Sequence, residues 1–327
     1  MKFSALLKTL VLIVLVAVAA LAAAIVFGGP ASPAAMQSIN NPFRAVDFSD
    51  LPPLQRFRGN DGASLAYRRY RATGSALPGS VVLVHGSSGN SSSMHVLAKG
   101  YAGAGYDTYA LDMRGHGESG TRGRIDDIGQ LEEDLGAFVA AVQPPRPSTL
   151  VGFSAGGGFV LRFVGGARQD VFQSCLLLSP FLSQDAPTYR PKSGGWVEVG
   201  VPRVVALSVL NQIGLKAFNH LPVAQFAVSE EAKRFLTPQY SFALAANFRP
   251  HRDYAADIRG VKRPCAVLAG ADDEVFYTEK LAAEFRAQGQ DWPVTLLPGV
   301  GHVNLTLDPG AVKAAVTAVQ GLQAKGS

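Results

Sequence analysis

The order of hydrophobic and polar residues divides the chain into three stretches of different character. From Leu10 to Phe27 eighteen consecutive residues are apolar. At the helical rise this is about enough to cross the roughly 30 Å hydrocarbon layer of a membrane. Residues 28 to about 52, including the run GGPASPAAMQSINNP, have neither helical nor alternating periodicity and read as an extended or mobile linker. From residue 54 onward, short apolar runs alternate with helical patterns.

Within this third stretch, LQRFRGNDGASLAYRRYR turns about Asn60-Asp61-Gly62, the signature of an antiparallel hairpin. Six runs follow that are too short for helices: VVLVH (81–85), YDTYALD (106–112), STLVG (148–152), SCLLLS (174–179), CAVLAG (265–270) and VTLLP (294–298). Continuous Val/Leu runs of this length suit strands buried on both faces. Helical spacing occupies 93–104, 126–142, 155–166, 278–288 and 309–323. The fold class is therefore α/β: a mostly parallel central sheet with helices on both faces, opened by an antiparallel hairpin. About 85 residues separate the runs ending at Ser179 and beginning at Cys265, far more than a crossover needs. Apolar spacing at 202–213 and 230–247 predicts a helical cap lying over the C-terminal edge of the sheet, where open α/β sheets bind ligands. The expected organisation is an N-terminal segment at 1–27, a linker at 28–52, a core formed by 53–180 and 256–327, and a cap at 181–255.

Composition narrows the function. With 47% hydrophobic and 17% charged residues the chain holds enough apolar material for a large core. Its net charge of +5 is scattered, with no basic run longer than two residues, which argues against a nucleic-acid partner. Lys2 and Lys8 precede the apolar run and no Lys or Arg follows until Arg44. That polarity predicts a single-pass membrane helix with the remainder of the chain extracytoplasmic. Ala20-Leu21-Ala22 or Ala22-Ala23-Ala24 would serve as a signal-cleavage site and yield a secreted protein instead.

Gly152-Phe153-Ser154-Ala155-Gly156 matches G-x-S-x-G, with an apolar strand before it and a helix after it. A serine hydroxyl becomes a useful nucleophile only beside a base, and the base needs a carboxylate to hold its tautomer. Of the six histidines, His302 follows the last strand in a Gly-rich loop and is the candidate base. His220 and His251 fall in the cap region, and His95 is expected on an exposed helical face. Asp272, Asp273 and Glu274 lie just beyond the strand 265–270 and supply the candidate acid. Phe181, Trp196, Phe218, Phe226, Phe242 and Phe248 are candidates for an apolar acyl pocket or for the cap's own core.

The chain order Ser154, Asp273, His302 resembles that of the α/β-hydrolase superfamily. Asp273-Glu274-Val275 is similar to the D-x-V beyond the acid strand of many members, which selects Asp273 over Asp272. His85-Gly86-Ser87 resembles the H-G-x oxyanion loop, and the match implies the backbone N–H groups of Ser87 and Ala155 as oxyanion donors. Asp112-Met113-Arg114-Gly115-His116-Gly117-Glu118-Ser119 is similar to the D-x-R-G-H-G-x-S loop of monoacylglycerol lipase and lysophospholipase-like members. The resemblance covers about residues 54–324 and implies a serine hydrolase of carboxylic esters, with a lysophospholipid or monoacylglycerol as the expected substrate. A peptidase, a C–C-bond hydrolase or an acyltransferase would use the same triad. No metal-site or nucleotide motif is present, so neither metal nor cofactor is expected, and no obligate protein partner is evident. Cys175 and Cys265 begin consecutive core strands and are expected to be buried thiols, with a disulfide between them as the alternative in an extracytoplasmic setting.

Overall fold

A computed structural model describes residues 2–73 and 79–326. It begins with α1 (Lys2–Phe27) and the single turn α2 (Gln37–Asn40), followed by a 3₁₀ turn at Pro42–Ala45. The strands β1 (Leu54–Arg58), β2 (Ser64–Tyr70), β3 (Ser80–Val84), β4 (Asp107–Leu111), β5 (Ser148–Phe153) and β6 (Ser174–Leu178) come next. Helices α3 (His95–Gly103), α4 (Gln130–Val142) and α5 (Ala155–Gly165) fall between them. After β6 come β7 (Val197–Val199), α6 (Val201–Gln212), β8 (Pro222–Phe226), β9 (Gln239–Ser241), α7 (Phe242–Asn247) and α8 (Tyr254–Gly260). The chain then re-enters the main sheet with β10 (Cys265–Gly270), α9 (Leu281–Ala287), β11 (Val294–Leu297) and α10 (Pro309–Gly326).

The main sheet has eight strands in the order β1-β2-β4-β3-β5-β6-β10-β11. β2 runs antiparallel to both β1 and β4, and every pair from β4 to β11 is parallel. Each side chain of β3, β5, β6 and β10 is buried, the burial that a continuous apolar run requires when helices cover both faces. Cys175 and Cys265 stand opposite one another in the β6–β10 ladder, both buried and both free thiols. Burial first, then the neighbouring Cys175 thiol, push the Cys265 thiol well above its ordinary pKa, which keeps it unreactive.

The segment between β6 and β10 contains more strand than its sequence predicts. α6 covers most of the expected 202–213, but residues 230–247 form a 3₁₀ turn at Ala232–Arg234 and α-helix only from Phe242 onward. Pro238 cannot donate inside a helix, and Gln239–Ser241 instead pair with β8 in a three-stranded antiparallel sheet, β7-β8-β9. The helical apolar spacing of 230–241 is overridden by this pairing.

Nor is all of 28–52 loose chain. Met36 N–H donates to the Ala227 carbonyl at 2.9 Å, and α2 packs against the core through Ile39. Upstream, the end of α1 is fastened to α6: the Arg203 guanidinium donates to the carbonyls of Ile25 (2.7 Å), Val26 (3.0 Å) and Pro222 (2.8 Å). A cation there satisfies carbonyls that the helix itself leaves without donors. Ile25 joins Leu207, Leu210, Val223 and Phe242 in a small separate apolar cluster.

Candidate active site

The site is assembled where the parallel strands end. β5 runs into Ser154, which has φ +55° and ψ −120°, and α5 begins at the next residue. A non-glycine residue held there is strained, and it persists because its surroundings over-determine it. Ser154 N–H donates to the Leu178 carbonyl at 2.9 Å, while its own carbonyl accepts from Gly158 (3.1 Å) and Phe181 (3.0 Å). The flanking glycines are required by proximity. A Cβ on Gly156 would lie 2.2 Å from the His85 carbonyl oxygen, and one on Gly152 would lie 2.3 Å from that of Gly156.

His302 reaches Ser154 from the loop after β11, with Nε2 at 3.0 Å from the serine Oγ. Its Nδ1 is 2.7 Å from Oδ2 of Asp273, in the loop after β10. The other carboxylate oxygen of Asp273 accepts from the backbone N–H groups of Val275 (2.8 Å) and Phe276 (2.9 Å). Burial alone would raise the pKa of this carboxyl, but the adjoining His302 and the hydrogen bonds it accepts hold it below its usual value. Asp272 is exposed and its N–H is tied to the Val300 carbonyl, so it lies outside this chain of contacts. Ser154, His302 and Asp273 are all buried, and the rings of Phe153 and Phe276 lie 4.8 and 5.2 Å from the His302 ring.

Ser87 lines the same cavity as Ser154 and His302. Ala155 is the first residue of α5, where N–H groups have no intrahelical acceptor. Both residues thus adjoin the serine. His85 serves the loop: its Nδ1–H donates to the Gly86 carbonyl at 2.7 Å, and its Nε2 accepts from Met113 N–H at 3.3 Å. Burial lowers its pKa to about 4.

The D-x-R-G-H-G-x-S loop is a brace. Asp112 accepts from the N–H groups of Ser91 (2.7 Å) and Glu118 (2.8 Å). Arg114 is bidentate to both Asp61 (2.8 and 3.0 Å) and Asp134 (2.7 and 2.6 Å). The guanidinium holds the Asp61 carboxyl down at about 2. His116 stacks edge-on against His85, with ring centres 4.6 Å apart, and its Nε2 lies 2.6 Å from the Tyr240 hydroxyl.

Of the remaining histidines, His95 corrects the expectation of exposure: it is buried between the Tyr70 hydroxyl and Asp50, each at 2.9 Å. Its apolar helix neighbours gave no hint of Asp50, which comes from the segment before β1. His251 pairs with Asp257 at 2.6 Å, away from the serine.

Five further residues contribute to the site. Glu274 accepts from His302 N–H at 2.9 Å and so fixes the histidine loop. Tyr240, on β9, accepts from Ser88 N–H at 2.8 Å. Trp196 donates to Ser87 Oγ at 2.8 Å and is the one candidate pocket aromatic that reaches the cavity. Ile39 and Phe43, from the N-terminal segment, also line it. Only the DEV tripeptide pointed to Glu274; the others depend on contacts between distant parts of the chain. Among the described residues no cluster of three or more His, Cys, Asp or Glu could hold a metal ion.

Comparison with known proteins agrees with the fold. A monoacylglycerol lipase of Mycolicibacterium smegmatis is 38% identical over 105 residues, 31% of this chain and 37% of that protein, so the match spans little more than a third of the relative's length. The crystal structure of Paleococcus ferrophilus monoacylglycerol lipase superposes with a TM-score of 0.58 at 20% identity, covering 80% of this chain and 99% of that one. A soluble variant of Saccharomyces cerevisiae monoglyceride lipase gives 0.64 at 16% identity, covering 86% and 97%. At these identities the two structures speak for the fold alone. The family described as serine aminopeptidase, S33, matches residues 76–309, and with this match over most of its length the chain belongs to that family of α/β-hydrolases.

Proposed function

We propose that the protein is a serine hydrolase of carboxylic esters, acting on a lipid-type substrate such as a lysophospholipid or monoacylglycerol. The observation that carries this reading is the hydrogen-bonded line from Ser154 through His302 to Asp273, at 3.0 and 2.7 Å. Ser154 Oγ attacks the ester carbonyl as His302 Nε2 takes its proton, and Asp273 holds the imidazole with Nδ1 protonated. The oxyanion receives the N–H groups of Ser87 and Ala155. His302 returns the proton to the departing alcohol, and water, activated by the same imidazole, releases the acid from the acyl-enzyme. Residues 181–255 act as the cap that closes the site from water.

The family's description favours a second reading, an aminopeptidase. The cavity beside Ser154 is lined by Ile39, Phe43, Phe153, Trp196, Leu236 and Val303 among small polar groups, and the carboxylate on the adjoining opening, Glu274, already accepts from His302 N–H. That lining supports the ester.

Membrane attachment belongs to the same proposal. Ala5–Phe27 is, among the described residues, the one helix long and apolar enough to cross a membrane, and none of its residues is buried. α6, fastened to its end, exposes Val201, Val205, Val209 and Ile213 at every fourth position, a stripe suited to lie against lipid. The polarity of Lys2 and Lys8 supports an extracytoplasmic catalytic domain; signal cleavage would release it.

Turnover of p-nitrophenyl acyl esters and amino-acid p-nitroanilides by the wild type, Ser154→Ala and Asp273→Asn proteins tests the reading. Wild type should prefer the esters, and each variant should lose about 10⁴-fold in kcat. Retained turnover in Ser154→Ala would overturn the mechanism, and a preference for anilides would overturn the substrate class.

A further inference from the structure

The segment joining α1 to the hydrolase core has the Gly, Pro, Ser and Asn content of a loose tether, yet residues 36–43 cross the active site. They are tied to the chain after β8. Met36 N–H and Asn40 Nδ2 each donate to the Ala227 carbonyl at 2.9 Å, and Asn40 Oδ1 accepts from Ser229 N–H at 2.9 Å. The 3₁₀ turn that follows begins with Pro42 and carries Phe43 inward. Ile39 is 8% exposed, and with half-buried Phe43 it faces the cavity shared by Ser154 and His302.

That cavity measures about 50 Å³. Pockets that bury a drug-sized ligand run to about 300 Å³ or more, so the space beside the serine does not hold an extended acyl chain. A much larger opening of about 750 Å³ lies across the same segment, bordered by Met36, Asn41, Glu274 and the other side of His302. Residues 36–43 therefore form a partition: Ile39 and Phe43 line the space next to the nucleophile, and Met36, Gln37, Ser38, Asn41 and Pro42 line the wider opening.

We propose that Ile39 and Phe43 are specificity-determining residues, the acyl-side gate of the site. With the strap seated, only a short acyl group fits. A long chain enters by displacing these two side chains and occupies the space they vacate. The segment that tethers the catalytic domain thereby also sets its acyl-length preference. The inference rests on the ester-hydrolase reading and deepens it.

The test uses the full-length protein in detergent micelles and compares kcat/KM for p-nitrophenyl octanoate and acetate, with fluorophosphonate labelling of Ser154 as a check on the site. Truncation in Ile39→Ala should raise the octanoate-to-acetate ratio at least about tenfold, the scale of a few methylenes of pocket space. Enlargement in Ile39→Trp should lower the ratio. Phe43→Ala, at a less buried position, should raise it even if Ile39→Ala does not fold. A ratio within twofold of wild type in Phe43→Ala and in whichever Ile39 variants label normally would overturn the gate. Ser154→Ala, assayed alongside, separates the two ideas. If it still turns over, the ester-hydrolase reading fails; if it is silent while the ratios stay fixed, only the gate does.

Discussion

Two walls of one cavity are built by different means. The first wall, Gly86–Gly89 with Phe153 and Ser154, hangs from the ends of β3 and β5, adjacent strands paired in parallel register along their length. Its backbone is so close that Gly156 has no room for a methyl group against the His85 carbonyl. The second wall, Ile39, Phe43, Trp196 and Leu236, comes from the N-terminal segment and the cap, tied down by isolated hydrogen bonds such as those of Asn40 and Tyr240. On the proposed mechanism the contrast assigns tasks: the nucleophile sits on the wall held by strand ladders, and the groups that meet the variable part of a substrate sit on the wall held by isolated contacts.

Substitution on the two walls should separate them. In Gly156→Ala the new Cβ would lie 2.2 and 2.7 Å from two backbone oxygens, and neither strand can withdraw without breaking its ladder. We expect a loss of about 3 kcal/mol or more in unfolding free energy. Phe43→Ala removes a half-buried ring at a cavity edge and should cost about 1 kcal/mol. Urea unfolding midpoints read both. Equal losses would abolish the distinction between a fixed and an adaptable wall.

The same contrast governs what the sequence discloses. Ser154 and its partners are legible because each follows a continuous apolar run, and a buried parallel strand dictates where its C-terminal loop must go. Asp273 stands apart from Asp272 in the sequence only by resemblance to D-x-V; in the structure it stands apart by its burial and its contact with His302, while Asp272 is exposed. Tyr240 is illegible because its partners, Ser88 and His116, lie more than a hundred residues away. Residues 28–52 show composition without periodicity, and such a pattern cannot reveal that Ile39 finds a buried seat supplied by the cap. The spacing at 230–241 is helical, and the edge of β8 wins it for a strand.

Acid should attack the fixed wall from beneath. His85 and His116 are stacked and buried, each donating through Nδ1 to backbone carbonyls and accepting through Nε2, so both rings are neutral in the fold. Burial lowers His85 to about 4 although Asp112 favours its charged form; burial, then the His85 ring, lower His116 well below its ordinary value. Between pH 6.5 and about 4 the unfolded chain binds protons that the native His85 refuses, so stability falls as pH falls through this window and levels off below it. For His85 alone the loss is about 3 kcal/mol, because each pH unit between its unfolded and folded titrations is worth about 1.4 kcal/mol. Carboxylates with depressed pKa values, Asp61 and Asp273, contribute stability that is lost only at lower pH. Urea midpoints that stay flat from pH 6.5 to 4.5 would show that these rings are not held neutral by burial.

The smallest effect on turnover concerns the joint between the walls. The Tyr240 hydroxyl accepts from Ser88 N–H and donates to His116 Nε2, joining β9 to the oxyanion loop. Ser88 itself has φ +68°, so the loop is strained where the cap touches it. Two other contacts cross the same joint: Thr237 N–H to the Ser88 carbonyl at 2.9 Å and Trp196 Nε1–H to Ser87 Oγ at 2.8 Å. Tyr240→Phe deletes one oxygen and leaves a buried donor and a buried acceptor without their partner, a loss of about 1–2 kcal/mol. Because the strained loop then rests on the remaining two contacts, the Ser87 N–H should drift from the oxyanion position. kcat for acetate should fall about three- to tenfold with KM unchanged, the pattern of an interaction made only in the transition state. Stability lost without any change in kcat would mean that Thr237 and Trp196 alone hold the loop, and that the adaptable wall shapes the substrate's seat without reaching the chemistry.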